Sequence, residues 1–561
     1  MKRYSKYILT AASLLMMASS CNFLDEDPQG TLTKEQAEAQ VDGLVTSAYA
    51  SLGNDHYDVP FSLWPYGNVR SDDAYKGGND INDILDFHYY EISQNIKTDF
   101  AEPNNLWFYC YEAISRTNQA LAALKKVSSS DYPSRDIRMG EMYFLRGHFY
   151  FLLKQVFGHI PFVDEDLPLD DYDYVANTLS NDEQWAWICS DFNKAYELLP
   201  PTQTEIGRAN KHAAAAYCAK AYLYKAYRQD EKNNVVYPAD ASDLAKAIEY
   251  ADYVLDSSVY GLESDMAFNF LPGAYQNGKE SIFAIQYSID DGTMFGRLNW
   301  GDLLSVPMGL GCCDFHKPSQ NLVNAYKTDA NGLPLFDTYD NSDYDKSSNT
   351  ADPRLFHTVA LPDLPYKYNS ELIYSEKWNR NQNVYGVYAS LKENVDPSCD
   401  CFVNVSPFYA NSKNRIVIRY ADVVLIKAEA LIETQLQANI DKALTLINSI
   451  RERASKSTKF ISYAPNLKVE SYTNANWNYD YAQKALRWER RLEFAMEGSR
   501  FFDLVRWGIA DKTINNYYST ESTRRSYYSG ASFTKNKNEY IPIPQQQISF
   551  SNGIYKQNYG W

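Results

Sequence analysis

After residue 20 the sequence has no uninterrupted apolar run approaching about 18 residues, the length a membrane-crossing helix needs, so no later segment reads as a transmembrane span. It has no basic surplus either. Fifty-four lysines and arginines against 71 aspartates and glutamates leave a net charge of -17, which repels phosphate backbones and argues against nucleic acid as a partner. The HExxH, Walker and GxSxG motifs are missing, and Gly309-Leu310-Gly311-Cys312 lacks the third glycine of a dinucleotide fingerprint. The seven histidines (His56, His88, His148, His159, His212, His316 and His357) are scattered without metal-ligand spacing. Among so many acidic residues, no carboxylate pair can be singled out as a glycosidase dyad. These absences lead us to expect a binding protein that is not an enzyme and uses no cofactor and no metal.

What is present starts with the first twenty residues. Lys2, Arg3 and Lys6 precede an apolar run from Tyr7 to Met17, and the small residues Ala18, Ser19 and Ser20 lead to Cys21. This is the pattern of a lipoprotein export signal, in which the Cys21 thiol receives lipid and becomes the new N-terminus. We therefore expect residues 1–20 to be a signal peptide and Cys21 to be the lipidation site. Seven further cysteines follow, an odd number that leaves at least one thiol free unless chains pair. Cys110, Cys189 and Cys218 sit in helix-like stretches and read as small buried hydrophobes. Cys312–Cys313 and Cys399–Cys401 lie in loop-like sequence, and an exported location permits disulfides there.

The hydrophobic content of 45% supports a large core. Apolar residues recur at helical spacing at Leu145, Phe149, Leu152 and Val156; at Ala214, Tyr217, Ala221 and Tyr224; and at Leu244, Ile248, Ala251 and Leu255. The pattern resumes at Val424, Ala428 and Leu431, at Ala443, Ile447, Ile450 and Ala454, and at Ala485, Trp488, Leu492 and Ala495. The small and bulky residues sharing the second stripe suit closely packed helix pairs of tetratricopeptide type, with repeats too degenerate for a strict consensus. Residues 271–415 hold nine of the 22 prolines and few helical stripes, with short candidate strands at Ser281–Tyr287 and Arg415–Ile418. No proline-rich linker divides the chain. The expected fold is mainly α: residues 21–561 form one unit, helical over 31–270, interrupted by a loop-rich insertion over 271–415, and helical again over 416–561.

Four places resemble the SusD/RagB family of outer-membrane nutrient-binding lipoproteins. The acidic, proline-containing stretch Cys21–Pro28 is similar to the family's mature start. Trp107, Tyr111, Ile114, Arg116 and Asn118 resemble its early helix, and Arg419–Ala430 (RYADVVLIKAEA) its late helix. The most specific match is RRLEFAMEGSRFFDLVRWG at Arg490–Gly508. The closing stretch, from Ile541-Pro542-Ile543-Pro544 through Gln557-Asn558 to Trp561, resembles the family's terminus, with Gln547, Tyr559 and Trp561 departing from its usual residues. The resemblance covers both ends and leaves the middle unmatched. It implies a frame of four tetratricopeptide-like units and a partner, a SusC-like TonB-dependent transporter over which the protein sits as a lid. It also implies a lipid-anchored, surface-exposed place on the outer membrane. Within Arg490–Gly508, Arg490 and Arg491 are expected to pair with the Glu489, Glu493 and Glu497 stripe, while Gly498 and Ser499 stop one helix and cap the next.

Sugar binding needs flat faces for C–H contacts and planar polar groups for hydroxyls, so loops mixing aromatic residues with Asp, Asn and Arg are candidate sites. The 47 tyrosines supply such faces, although most are expected to pack helices. Three loop regions stand out: Asn54–Tyr57 with Ser71–Gly78, Trp300–Asp314, and Trp378–Asn381 with Phe408–Asn411. From these we expect ligand contacts from Asp55, Asp73, Tyr75, Trp300, Cys312, Cys313, Arg380 and Tyr409. The adjacent Cys312 and Cys313 are expected to bridge each other and floor the site, with Gly309 and Gly311 supplying backbone freedom. The leading expectation is capture of an oligosaccharide for import, with fructan favoured by analogy with family members. Peptide capture and a scaffold for surface enzymes with no small ligand remain open.

Overall fold

The computed structural model describes residues 40–294 and 296–561, so Cys21 and the signal lie outside the described residues. The N-terminal half is built from α1 (Val41–Ala50), α2 (Ala101–Lys126), α3 (Arg135–Phe157), α4 (Asn181–Leu198), α5 (Lys211–Ala226) and α6 (Ala241–Leu255). From α2 to α6 each helix packs on the one before, and the succession continues from α6 onto α7 (Tyr420–Glu433), which packs on α8 (Gln437–Lys456). Then come α9 (Tyr479–Phe494), α10 (Arg500–Arg506), α11 (Ala510–Glu521) and α12 (Gln545–Phe550). This is a helical-repeat frame.

Local chemistry sets the helix starts. The Ser180 side chain accepts from the Glu183 N–H while Glu183 reaches back to the Ser180 N–H, a capping box that opens α4. Asn210, Asp240 and Asn478 cap α5, α6 and α9 in the simpler way. The stripe read in α5 is buried: Ala213 to Ala216, Ala219 and Ala221 let neighbouring helices approach closely. Cys110, Cys189 and Cys218 lie buried with free thiols on α2, α4 and α5 respectively. At the heart of this half, Arg146 on α3 grips Asp191 on α4 through Nε (2.8 Å) and Nη2 (2.7 Å) and reaches Asn118 on α2 through Nη1 (2.8 Å).

Between α6 and α7 the chain folds into short strands, turns and single helical turns. The two candidate strands pair with each other: β2 (Ser281–Ile285) runs antiparallel to β6 (Arg415–Arg419). Farther out, β1 (Ala74–Gly77) pairs with β3 (Phe315–Pro318), and β4 (Phe402–Val405) with β5 (Phe408–Asn411). Every sheet among the described residues has two strands, so side-chain charge rather than an extended ladder ties this region to the helices. Arg491 on α9 bonds Asp73 (2.8 Å) and Asn321 (2.7 Å). Arg354 joins Asp352 and Glu489, each at 2.7 Å, and Lys392 reaches Glu497 at 2.6 Å.

The expected local pairing within Arg490–Gly508 is corrected by this arrangement. Arg490 binds Asp503 and Asp422, and Arg491 binds Asp73 and Asp72. The glutamates receive their cations from elsewhere: Glu489 from Arg354 and Arg451, Glu493 from Arg419, Arg453 and, at 3.4 Å, Arg354. The physical reason is burial. A charge with no access to water must be fully paired, and guanidiniums from three directions satisfy a carboxylate better than one neighbour on the same helix. Gly498 does break the chain in a left-handed conformation (φ +85°), but the Ser499 side chain makes no capping bond.

Candidate functional site

The turn from Met308 to Asp314 is where the chain brings unusual chemistry to the surface. Cys312 and Cys313 are bonded to each other, Cys312 half-buried and Cys313 buried. Gly311 has φ +140°, a conformation side chains rarely adopt, and any Cβ there would collide with the Tyr409 ring. Gly309 leaves no room for a Cβ against Trp378. The two glycines thus let the disulfide turn sit directly between two aromatic side chains, Tyr409 of β5 and Trp378.

Aromatic side chains lie on both faces of the hairpin that follows, Tyr409 on one and Phe408 on the other. Tyr409 stacks on Phe402 of β4 at 5.2 Å between centroids, because the β4–β5 hairpin places both on one face. Phe408 meets Tyr57 at 5.3 Å, Tyr57 meets His56 at 4.1 Å, and His56 stacks near Trp300 at 6.3 Å. A second disulfide, Cys399–Cys401, closes the turn before the hairpin. Trp300, Tyr57, Phe402, Phe408 and Tyr409 are all half-buried, so each ring has an edge or face left over. Met308, 45% exposed, adds an apolar tip.

Polar groups border the face. The Arg380 N–H donates to Asp314 Oδ2 (2.7 Å), its guanidinium pairs with Asp83 (3.0 Å), and Asn381 Nδ2 donates to the Asn79 carbonyl (2.7 Å). Asn404 Nδ2 donates to the Tyr409 hydroxyl (3.3 Å). Lys317 and Asp314, both buried, pair at 2.6 Å below the disulfide turn. Flat rings flanked by amides and one guanidinium can hold a hydroxyl-bearing, ring-shaped ligand; they offer no activated nucleophile.

Of the residues singled out in the sequence, Cys312, Cys313, Arg380 and Tyr409 come together here, while Trp300 belongs to the cluster of His56, Tyr57 and Phe408 on the other face of the hairpin. Asp55 lies beneath the face: it is 5% exposed, packs against Gly301, and accepts from the Phe61 N–H (3.3 Å). Burial, with Asp302 adding to it, pushes its carboxyl up to about 6, against the pull of Arg415 and the Phe61 amide. Asp73 and Tyr75 are corrected. Asp73 is wholly buried on Arg491, and Tyr75 is buried with its hydroxyl donating to Glu521 (2.7 Å) and accepting from the Gln320 N–H (3.0 Å). Both side chains are committed to the network that holds β1 and β3 to the helices, so neither is free to meet a ligand. Phe402 and Trp378 were not among the sequence candidates. Trp378 stood in a flagged loop, but Phe402 had no signal beyond one aromatic in a short run bounded by Cys401 and Pro407.

Comparison with known proteins places this architecture. The model of the SusD family matches residues 279–561, and a second model, described as starch-binding and associating with outer membrane, matches residues 22–223. The SusD-like protein P2 of Formosa agariphila is 22% identical, covering 99% of this chain and 100% of its own. A solved SusD-like carbohydrate binding protein from Bacteroides fragilis superimposes with a TM-score of 0.70 at 22% identity, covering 91% of this chain and 98% of its own. A laminarin binding SusD-like protein gives 0.65 at 21%, covering 93% and 99%. A helical-repeat frame shared along nearly the whole length, together with a family match over half the chain, leads to one conclusion: this protein belongs to the SusD family.

Proposed function

We propose that this protein is a non-catalytic glycan receptor, held on the outer membrane by lipid on Cys21, that captures oligosaccharides and passes them to a SusC-like TonB-dependent transporter. The observation that carries the proposal is the set of half-buried aromatic side chains on the two faces of the β4–β5 hairpin, with Tyr409 and Arg380 beside the Cys312–Cys313 turn and Trp300 in the neighbouring cluster as its principal contacts. Aromatic faces are suited to sugar rings, and a rigid turn holds them without an ordering cost on binding. The family membership and the carbohydrate-binding relatives support the same reading. Fructan is the sugar class favoured.

The test is calorimetric titration of the processed protein against a panel of fructo- and gluco-oligosaccharides and of peptides. We expect saturable binding of one glycan class with its chain length unaltered, and about tenfold weaker binding for both Trp300→Ala and Tyr409→Ala, which corresponds to ~1.4 kcal/mol per lost ring contact. Binding of peptides alone, of nothing in the panel, or release of new reducing ends would each overturn the reading. For the anchor, Cys21→Ala is expected to move the protein from the detergent phase to the aqueous phase on partitioning or to leave it unprocessed; unchanged partitioning would remove the lipid from the proposal.

A further inference from the structure

A cavity of about 150 Å³ lies between α3, α5, the start of β6 and the 496–499 turn, and borders the Trp300 loop through Asn299 and Asp302. That is the size of an interior cavity known to take a benzene-sized body of about six non-hydrogen atoms. One wall is apolar, formed by Phe61, Leu63, Phe151, Leu152 and Phe270. The rest of the lining carries Lys413 and Arg415, two residues apart as the chain enters β6, and His148, which shares a face of α3 with Phe151 and Leu152.

The polar wall has an imbalance. Its acids are already engaged: Asp302 accepts from Ser62 Oγ (2.6 Å) and Asn299 Nδ2 (2.8 Å), Glu393 meets His316 (2.8 Å), and Glu497 takes Lys392 (2.6 Å) and Arg419 (2.9 Å). Two of its four Lys and Arg side chains are engaged as well, Lys220 with Asp422 (3.1 Å) and Lys392 with Glu497, while Lys413 and Arg415 are not. Lys413, 7% exposed, donates to the Lys392 carbonyl and forms no ion pair with a carboxylate of the described residues. Arg415 forms none either; Tyr287, Asp55 and Asp302 together favour its charged form against burial, but its Nε and Nη2 have no hydrogen-bond partner. His148, 2% exposed, uses Nδ1 on the Tyr217 hydroxyl (2.8 Å), and its Nε2 has no partner. Other guanidiniums, those of Arg146, Arg354 and Arg491, face carboxylates directly, whereas Arg70, 1% exposed, meets the Asn538 carbonyl and leaves Nε and Nη1 without a partner. An uncompensated buried donor is costly, so the cavity is built to receive an acceptor that carries negative charge.

We propose that this cavity is a second binding site, for a small organic carboxylate. Its charged end sits on Arg415 and Lys413, and its body lies against Phe151 and Phe270. Burial already lowers the Lys413 ammonium to about 8, and an anion beside it restores the charged form. Access is through Asn269, Asn414 and Ile416, half-buried residues that line both this cavity and an adjoining cleft bounded by Tyr275 and Gln276. The proposal does not rest on the glycan reading, because it uses none of the rings of the outer face.

The test compares butyrate with butyramide, which match in size and differ in charge, by calorimetry and thermal unfolding of the processed protein. Butyrate is expected to bind saturably and raise the melting temperature, with butyramide at least 30-fold weaker. Arg415→Met is expected to weaken butyrate at least 30-fold and Lys413→Met about tenfold, while Trp300→Ala leaves butyrate binding unchanged. Equal binding of acid and amide by the unaltered chain, or binding of neither, overturns the proposal without recourse to any variant. So does ordered water alone in the cavity of crystals grown with saturating butyrate.

Discussion

Asp55 shows what a single residue can hide. In the sequence it is one acidic residue in a loop of mixed polar and aromatic character, the composition expected of a sugar contact, and so are Asp73 and Tyr75. The structure separates the three by burial, which no local pattern reports: Asp73 and Tyr75 are absorbed into ion-pair and hydroxyl networks whose partners lie hundreds of residues away. Trp300 and Arg380 kept an open side because they sit in loops, and Tyr409 because its strand pairs with only one neighbour, in a two-stranded hairpin. Asp55 itself makes a pH prediction. Its carboxyl is raised to about 6, above the ordinary range, so the folded chain holds that proton more tightly than the unfolded chain does. The folded state is therefore favoured at this site at low pH and loses about 2 kcal/mol as pH rises from 4 to 7. Asp55→Asn cannot ionise, so its unfolding free energy relative to the parent should grow by about that amount over the same interval in denaturant titrations. A difference that stays constant with pH would mean that Asp55 ionises as an ordinary carboxylate.

At the scale of elements, the helices were legible because their signal is local. The stripes at Leu145–Val156, Ala214–Tyr224 and Leu244–Leu255 fall within α3, α5 and α6, since a 3.6-residue period is written into any helix with one buried face. The charges were legible only as charges. Which carboxylate an arginine meets depends on how elements separated in sequence are brought together, and in the Arg490–Gly508 segment Arg491 pairs with Asp72 and Asp73 for that reason, while Arg490 reaches Asp503 on the next helix and Asp422 on α7. The same logic makes Arg146 the clasp of the N-terminal half. Asp191→Ala leaves its buried guanidinium short of its bidentate partner, and about 3–5 kcal/mol of unfolding free energy should be lost. Asp191→Asn, which keeps shape and one acceptor, should lose less. Equal losses for the two would show that packing, not charge, holds α3 to α4.

For the whole molecule, the region between α6 and α7 was legible as irregular but not as integrated. Proline content and absent stripes predict loops; they do not predict that Arg354, Lys392 and Arg419 pin those loops onto glutamates of α9 and of the turn that follows it. With so many buried ion pairs crossing it, the boundary should not melt separately, and scanning calorimetry should record one cooperative transition. Two resolved transitions would mean that the helices survive loss of the insertion. The three free thiols offer a finer view of the same event. Cys110, Cys189 and Cys218 lie on different helices, each fully enclosed, and burial pushes each thiol away from the reactive thiolate form. An alkylating reagent can therefore reach them only when the helix that carries each one swings open. The repeat frame thus contains three stopwatches. Read by mass spectrometry, they run together if the frame opens all at once, and they run in sequence order if it peels from one end.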